Sequence, residues 1–298
     1  MKEPTNSFFS HAERAAVYRV IEERRDIRHF IPHEIDDTTL HCLLRAAHAG
    51  PSVGFMQPWD FIVIRDAETR QSIRTHVKNE KEKAGQHYTD ENADLYQRLK
   101  LEGILECSLL IAVTCDPERG GSKNIGRMTM PQTAAFSVCA AIQNLWLAAR
   151  SEGLGVGWVS ILKPVWLKTL LQIPENIELI ALLCIGGTDY FATEPLLQTV
   201  GWKTRESLDT LTHQEQWGKP YPWTNTIKTR SPMISLNELI SRIKPLNQAL
   251  MDQAQERLNS LTKPQGSLGR LEELAKWLVV LRSHDKLQHA PHEKKRNW

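Results

Sequence analysis

The stretch PQTAAFSVCAAIQNLWLAARSEGLGVGWVSI, residues 131–161, carries the strongest helix signal of the chain, followed directly by a glycine-rich turn and a strand. Ala134, Ala135, Val138, Cys139, Ile142, Leu145 and Trp146 recur at three- and four-residue steps. That spacing predicts a helix from Pro131 to Glu152 with a broad apolar face. Gly153-Leu154-Gly155 ends it, and Trp158-Val159-Ser160-Ile161 reads as a strand.

Working outward, Ser108 to Thr114 reads as a buried strand, and Phe61 to Ile64 as a shorter one. Leu179 to Ile185 is another strand, closed by Gly186-Gly187. Residues 11–24 place Ala15, Val17, Val20 and Ile21 on one side, as an amphipathic helix does. Residues 38–49 form a second helix, capped by Asp36 or Asp37 and stopped by Gly50-Pro51. Lys78 to Glu106 is polar with weak apolar periodicity and reads as a helical excursion, either a mobile lid or a plain solvated helix pair. Strands separated by helices and long excursions indicate a mixed α/β or α+β domain over residues 1–218. A Pro-containing linker follows at 219–233, and a helical tail at 234–298. In the tail a leucine and isoleucine stripe is interrupted at Pro245, where proline breaks helical hydrogen bonding.

The length of 298 residues suggests about two domains. The net charge of +2 hides an asymmetry: residues 229–298 carry 12 Lys and Arg against 7 Asp and Glu, the remainder 25 against 28. A balanced total gives no reason to expect nucleic acid or a membrane as partner. No apolar run approaches a membrane span, and Met1 to Ser10 lacks the apolar core of a secretory signal. The five cysteines form no CxxC pair, and the eleven histidines no HExxH, so no metal site is expected; reduced thiols fit a cytoplasmic protein.

Arg24, Arg25 and Arg28 stand within five positions at a helix end. Guanidiniums so placed hold a phosphate through forked hydrogen bonds, or else neutralise the helix dipole. Asp26 among them is either a base beside an anionic ligand or a salt-bridge partner. Pro51 to Trp59 is a loop rich in hydrogen-bonding and aromatic groups, suited to a flat heterocycle. GxGxxG, GxxxxGK[ST] and GxSxG are all missing, which argues against a dinucleotide-binding dehydrogenase, a P-loop enzyme and an α/β-hydrolase.

Pro51-Ser52, Gln57-Pro58-Trp59, Gln143-Asn144-Leu145 and Gly153-Leu154-Gly155 resemble the FMN-dependent nitroreductase fold. Glu23 to Arg28, Pro51 to Trp59, Lys100 to Ile104, Val113 to Asp116, Gln143 to Ala149 and Gly155 to Ile161 are similar, in the same order, to the 5,6-dimethylbenzimidazole synthase family. The resemblance covers about residues 8–220 and implies that reduced FMN is a substrate, destroyed with O2 as co-substrate. Its products are 5,6-dimethylbenzimidazole, the lower ligand of vitamin B12, and erythrose 4-phosphate. It implies Asp26 and Ser160 as catalytic residues, and Arg24, Arg25, Asp26, Ile27, Arg28, Ser52, Gly54, Leu101, Ser160 and Arg205 as FMN contacts. Leu101 falls in the family's lid string; Lys203 joins Arg205 as a further phosphate candidate. It also implies a homodimer with flavin at the subunit interface, and an external flavin reductase supplying reduced FMN. Ordinary nitroreductases usually carry asparagine where this chain has Gly54-Phe55-Met56. The rivals are an NAD(P)H-dependent FMN nitroreductase or flavin reductase, and a non-enzymatic flavin-binding protein acting through its tail.

The tail, from Ile243 through Leu261-Thr262-Lys263-Pro264-Gln265-Gly266-Ser267-Leu268-Gly269-Arg270, resembles the N-terminus of nicotinate-nucleotide–dimethylbenzimidazole phosphoribosyltransferase. The expectation is a truncated or frame-shifted fusion without transferase activity, leaving the family's pattern from Ser283 onward.

Overall fold

The computed structural model describes residues 9–89 and 92–223, together with residues 252, 253, 255 and 256. Contacts divide the chain into two compact units, Met1–Met233 and Ile234–Trp298. The element order in the first unit is α1 His11–Glu23, α2 Asp37–His48, β1 Trp59–Ile64, α3 Ala67–Gly85, α4 Asn92–Arg98 and β2 Leu109–Cys115. There follow α5 Thr133–Ser151, β3 Leu154–Val159, α6 Pro164–Leu170, β4 Glu178–Gly187, α7 Leu196–Thr199 and α8 Leu208–Leu211.

The four strands make one antiparallel sheet in the order β1-β2-β4-β3. All seven residues of β2 are buried, which explains its apolar run from Leu109 to Val113. Side chains alternate between the two faces of a strand. Leu109, Ile111 and Val113 accordingly join the core made with α2 and α5, while Leu110 and Ala112 join the opposite one with Ile73 and Val77 of α3 and Leu167 of α6. Both faces are covered, so the sheet needs no polar side.

Glycines of β3 and β4 let the segment after α1 cross close over the sheet. A Cβ on Gly157 would lie 2.2 Å from Ile27 O, and one on Gly187 would lie 2.6 Å from His33 Cβ. Ile27 N–H donates to Val156 O at 2.9 Å, and Ile31 N–H to Gly187 O at 3.0 Å. The chain from Asp26 to Ile31 is thereby pinned along β3 and the end of β4.

Four expectations change. The third strand runs Leu154–Val159 rather than Trp158–Ile161, because Gly153 (φ +76°) reverses the chain at once and pairing with β4 begins at Leu154↔Gly187. Ser160 therefore lies just beyond the strand. The helix that enters the polar excursion, α3, begins at Ala67, eleven residues before Lys78, and buries only Ile73, Val77 and Gly85. Cys139, placed on the apolar face of α5, is exposed; Ser137, whose hydroxyl bonds to Thr133 O at 2.7 Å, takes a buried place instead. On α1 no residue is buried, and Val17 and Ile21 of its apolar stripe are exposed.

The start of the expected linker is held to the body by a His213–Pro220 bridge and by Tyr221 N–H on Thr212 O. The rest of the linker and the Lys263–Arg270 motif lie outside the described residues. Among the described residues no helix is long and apolar enough to cross a membrane.

Candidate active site

α1 starts on a capping box between Ser10 and Glu13 and stops at Arg24, whose ψ of 144° turns the chain extended. The three arginines then diverge. The Arg24 guanidinium lies 5.3 Å from the ring centroid of Trp146. Arg25 donates to Glu22 O, to Arg24 O and to Thr193 O, so its charge ties the end of α1 to the segment before α7. Arg28 reaches across Gly157, donating to Trp158 O at 2.7 Å and to Asp26 Oδ2.

Asp26 is gripped from two sides. Its Oδ1 accepts from Trp158 N–H at 3.0 Å while Oδ2 takes the Arg28 guanidinium. Arg28 keeps only 12% of its side-chain exposure, Asp26 46%, so the acid is fixed at the back and open at the front. The desolvating surroundings push the Asp26 carboxyl above its ordinary value; Arg28, the Trp158 amide and Arg24 oppose that push without cancelling it. A carboxylate offers about four lone-pair sites, so two donors leave capacity for a proton from a ligand.

In front of Asp26 opens a cleft of about 720 Å³. Arg24, Arg25 and Arg28 line one side, Lys100 and Leu101 another, and Thr193 to Leu197 with Arg205 a third. Five cations meet three acids there, Glu22, Asp26 and Glu194, so the cleft favours an anion. Nε of Arg25 and Nη1 of Arg28 are buried without an acceptor.

Of the ten residues named from sequence, the cleft brings together Arg24, Arg25, Asp26, Arg28, Leu101 and Arg205. Ile27 does not line it: its side chain is 8% exposed and packs over Gly155 in the core. Ser52, Gly54 and Ser160 do not line it either. Ser52 Oγ accepts from Gln57 N–H at 3.1 Å, closing its own loop. Gly54 sits at φ +53°, where a Cβ would be 2.6 Å from Asn124 Oδ1, so the turn itself demands glycine. Ser160 is exposed beyond β3, two residues past the Trp158 that Asp26 holds. Sequence reasoning did not name Lys100 or the Thr193–Leu197 wall as site residues. Lys100 lay inside a quoted string beside Leu101; the wall has no apolar period, and only the fold brings it to the arginines.

A family profile described as the nitroreductase family matches residues 21–187. The 5,6-dimethylbenzimidazole synthase of Rhodospirillum rubrum is 39% identical over 201 residues, 67% of this chain and 95% of that protein. The chain belongs to the nitroreductase family, among the 5,6-dimethylbenzimidazole synthases. The fold agrees with that family: a crystal structure of oxidised iodotyrosine deiodinase bound to FMN and 3-iodo-L-tyrosine superposes with a TM-score of 0.51, at 19% identity, over 59% of this chain and 91% of that one. A second profile, described as phosphoribosyltransferase, matches residues 243–295. Over 49 residues the tail is 53% identical to the nicotinate-nucleotide–dimethylbenzimidazole phosphoribosyltransferase of Geobacter metallireducens, which is 16% of this chain but 14% of that protein. The profile runs past Ser283, where the pattern was expected to end, so the polar residues there still fit it.

Proposed function

We propose that the unit ending near residue 218 converts reduced FMN and dioxygen to 5,6-dimethylbenzimidazole, with release of erythrose 4-phosphate. The observation that carries this reading is the placement of Asp26. In a chain of the synthase branch, a fixed carboxylate with a raised pKa faces a cation-rimmed cleft. The cleft fits the flavin nucleotide. Its volume lies in the range of small-molecule sites, and the orphaned Arg25 Nε and Arg28 Nη1 are donors without an acceptor. When bound, reduced FMN supplies both the electrons that dioxygen takes up and the carbon atoms of the benzimidazole.

The chain's own residues do the rest. Arg24, Arg28 and Arg205 bind the phosphate and orient the flavin; Arg25 contributes Nε while its other nitrogens brace the wall at Thr193. Asp26 takes and returns a proton through its open side. Ser160, exposed just beyond β3, meets the part of the flavin ring that extends past the cleft. Leu101 covers the cleft and keeps water from the reacting ring.

Ser52 and Gly54 stand outside the cleft of their own chain, and beside them Phe55 and Ile125 are 82% and 84% exposed. This supports a homodimer in which that loop serves the partner's flavin, the exposed apolar side chains being covered by the second copy. Reduced FMN comes from a separate flavin reductase. Five unpaired thiols suit the reducing cytoplasm.

The test is incubation of the chain with chemically reduced FMN in air. Loss of flavin with 5,6-dimethylbenzimidazole in the product is the expected result. Quantitative recovery of oxidised FMN refutes the reading and leaves an NAD(P)H-dependent nitroreductase or flavin reductase.

A further inference from the structure

We propose that Trp202, through Tyr88 and Tyr96, latches two walls of the cleft together and is a positioning residue for its closure. One wall is Lys100-Leu101, directly after α4; the other is Leu196, Leu197 and Arg205, about a hundred residues later in the chain. Neither belongs to the sheet, whose strand pairing holds the rest of the site. α7, only four residues long, buries no side chain, so the second wall has little core of its own.

The aromatic rings close the gap. Tyr96 of α4 is buried and stacks on Tyr88 with ring centroids 4.6 Å apart at 27°. Trp202 meets Tyr88 edge-on at 5.5 Å and 73°, and Tyr96 at 6.4 Å and 46°. These separations and angles are those at which aromatic rings attract. Each end of the latch is tied to the cleft. Trp202 N–H donates to O of the wall residue Leu197 at 2.8 Å, and Lys203 N–H to the same oxygen at 3.3 Å. On the other side, Lys81 Nζ donates to Leu99 O at 2.6 Å and to Gln97 O at 3.2 Å, anchoring the residues that lead into Lys100-Leu101 to α3.

The consequence rests on the function proposed above. A closed cleft keeps reduced FMN bound while dioxygen reacts. From an open cleft reduced FMN escapes and passes two electrons and two protons to dioxygen in bulk, giving oxidised FMN and hydrogen peroxide. The latch thus sets the share of flavin that ends as product.

The experiment uses the full chain as Trp202→Ala, Trp202→Phe and Tyr88→Leu. In the ligand-free protein, amide hydrogen exchange over residues 92–101 is expected to quicken about tenfold in Trp202→Ala and Tyr88→Leu, and to stay within about twofold of the parent in Trp202→Phe, whose ring keeps the contact. With reduced FMN in air, the ratio of dimethylbenzimidazole to recovered FMN is expected to fall about tenfold in the first two and to recover in the third. Unchanged exchange over 92–101 in Trp202→Ala and Tyr88→Leu overturns the latch whatever the chemistry. So does an unchanged product ratio. A parent chain that makes no dimethylbenzimidazole overturns the function proposed above instead, and the exchange measurement then decides the latch alone. If Trp202→Ala does not fold, Tyr88→Leu carries both readouts with Trp202 in place.

Discussion

Gly157→Ala tests how the site is built. The added methyl would stand 2.2 Å from Ile27 O and 2.8 Å from Arg28 Nη1. Neither neighbour yields by a simple rotation. Ile27 is hydrogen-bonded to Val156 O through its own N–H at 2.9 Å, and Arg28 is clamped between Trp158 O and Asp26. The segment from Asp26 to Arg28 must therefore lift from β3. Forcing an extra carbon into a packed site costs about 1–3 kcal/mol. At about 2–4 °C per kcal/mol for a domain of this size, Tm should fall by about 2–12 °C in thermal unfolding followed by circular dichroism. A second effect separates this from ordinary overpacking. Arg28 is the strongest of the forces holding the Asp26 carboxyl down against burial. Moving the guanidinium leaves burial less opposed, so the pKa rises further. Catalysis by ionised Asp26 declines as pH falls through that pKa, so the acid limb of the pH–rate profile should move to higher pH. Arg28→Met should move it the same way. An unchanged Tm with an acid limb left in place refutes the reasoning, because it means that Gly157 does not control the Arg28–Asp26 pair.

Asp26→Asn is expected to bind FMN and form no dimethylbenzimidazole in the reduced-flavin assay; parent-like turnover removes Asp26 from the mechanism. Arg205→Ala should weaken FMN binding about 10–100-fold by fluorescence titration, since one charge-assisted hydrogen bond is worth about 1.5–3 kcal/mol; equal affinity removes it from the phosphate site. Native thiol titration should show Cys42 and Cys139 reacting readily, while Cys107, Cys115 and Cys184 react only on unfolding. For Cys115 burial also pushes the thiol pKa up to about 11, so little thiolate exists at neutral pH; five equally fast thiols contradict the packing. Deleting residues 234–298 should leave the synthase rate unchanged, and a lost rate would give the tail a part in the reaction.

The fold was legible wherever burial imposes a period. The α5 pattern announced a helix to within two residues at its start and one at its end, because its apolar face must meet the sheet all along its length. β2 was legible for the opposite reason: a strand covered on both faces is apolar at every position but Thr114. α3 was poorly legible, since it buries only three residues and leaves mostly polar ones to water; α6 is a single short helix that buries only Leu167. In the site, the arginine cluster and Asp26 were legible as types and spacing. The separate tasks of the three arginines were not, because spacing does not say which carbonyl each guanidinium meets.

The sequence by itself determined the family, the α+β class, the central strands and the acid among arginines, since apolar period, glycine punctuation and motif order are local properties of the chain. Only the tertiary structure decided that Arg25 is largely spent on the carbonyls of Glu22, Arg24 and Thr193, that Ile27 belongs to the core, and that a wall around residue 197 faces Lys100. Those are relations between segments far apart in sequence. They come into being when glycines at 155, 157 and 187 let the chain after α1 settle on the sheet.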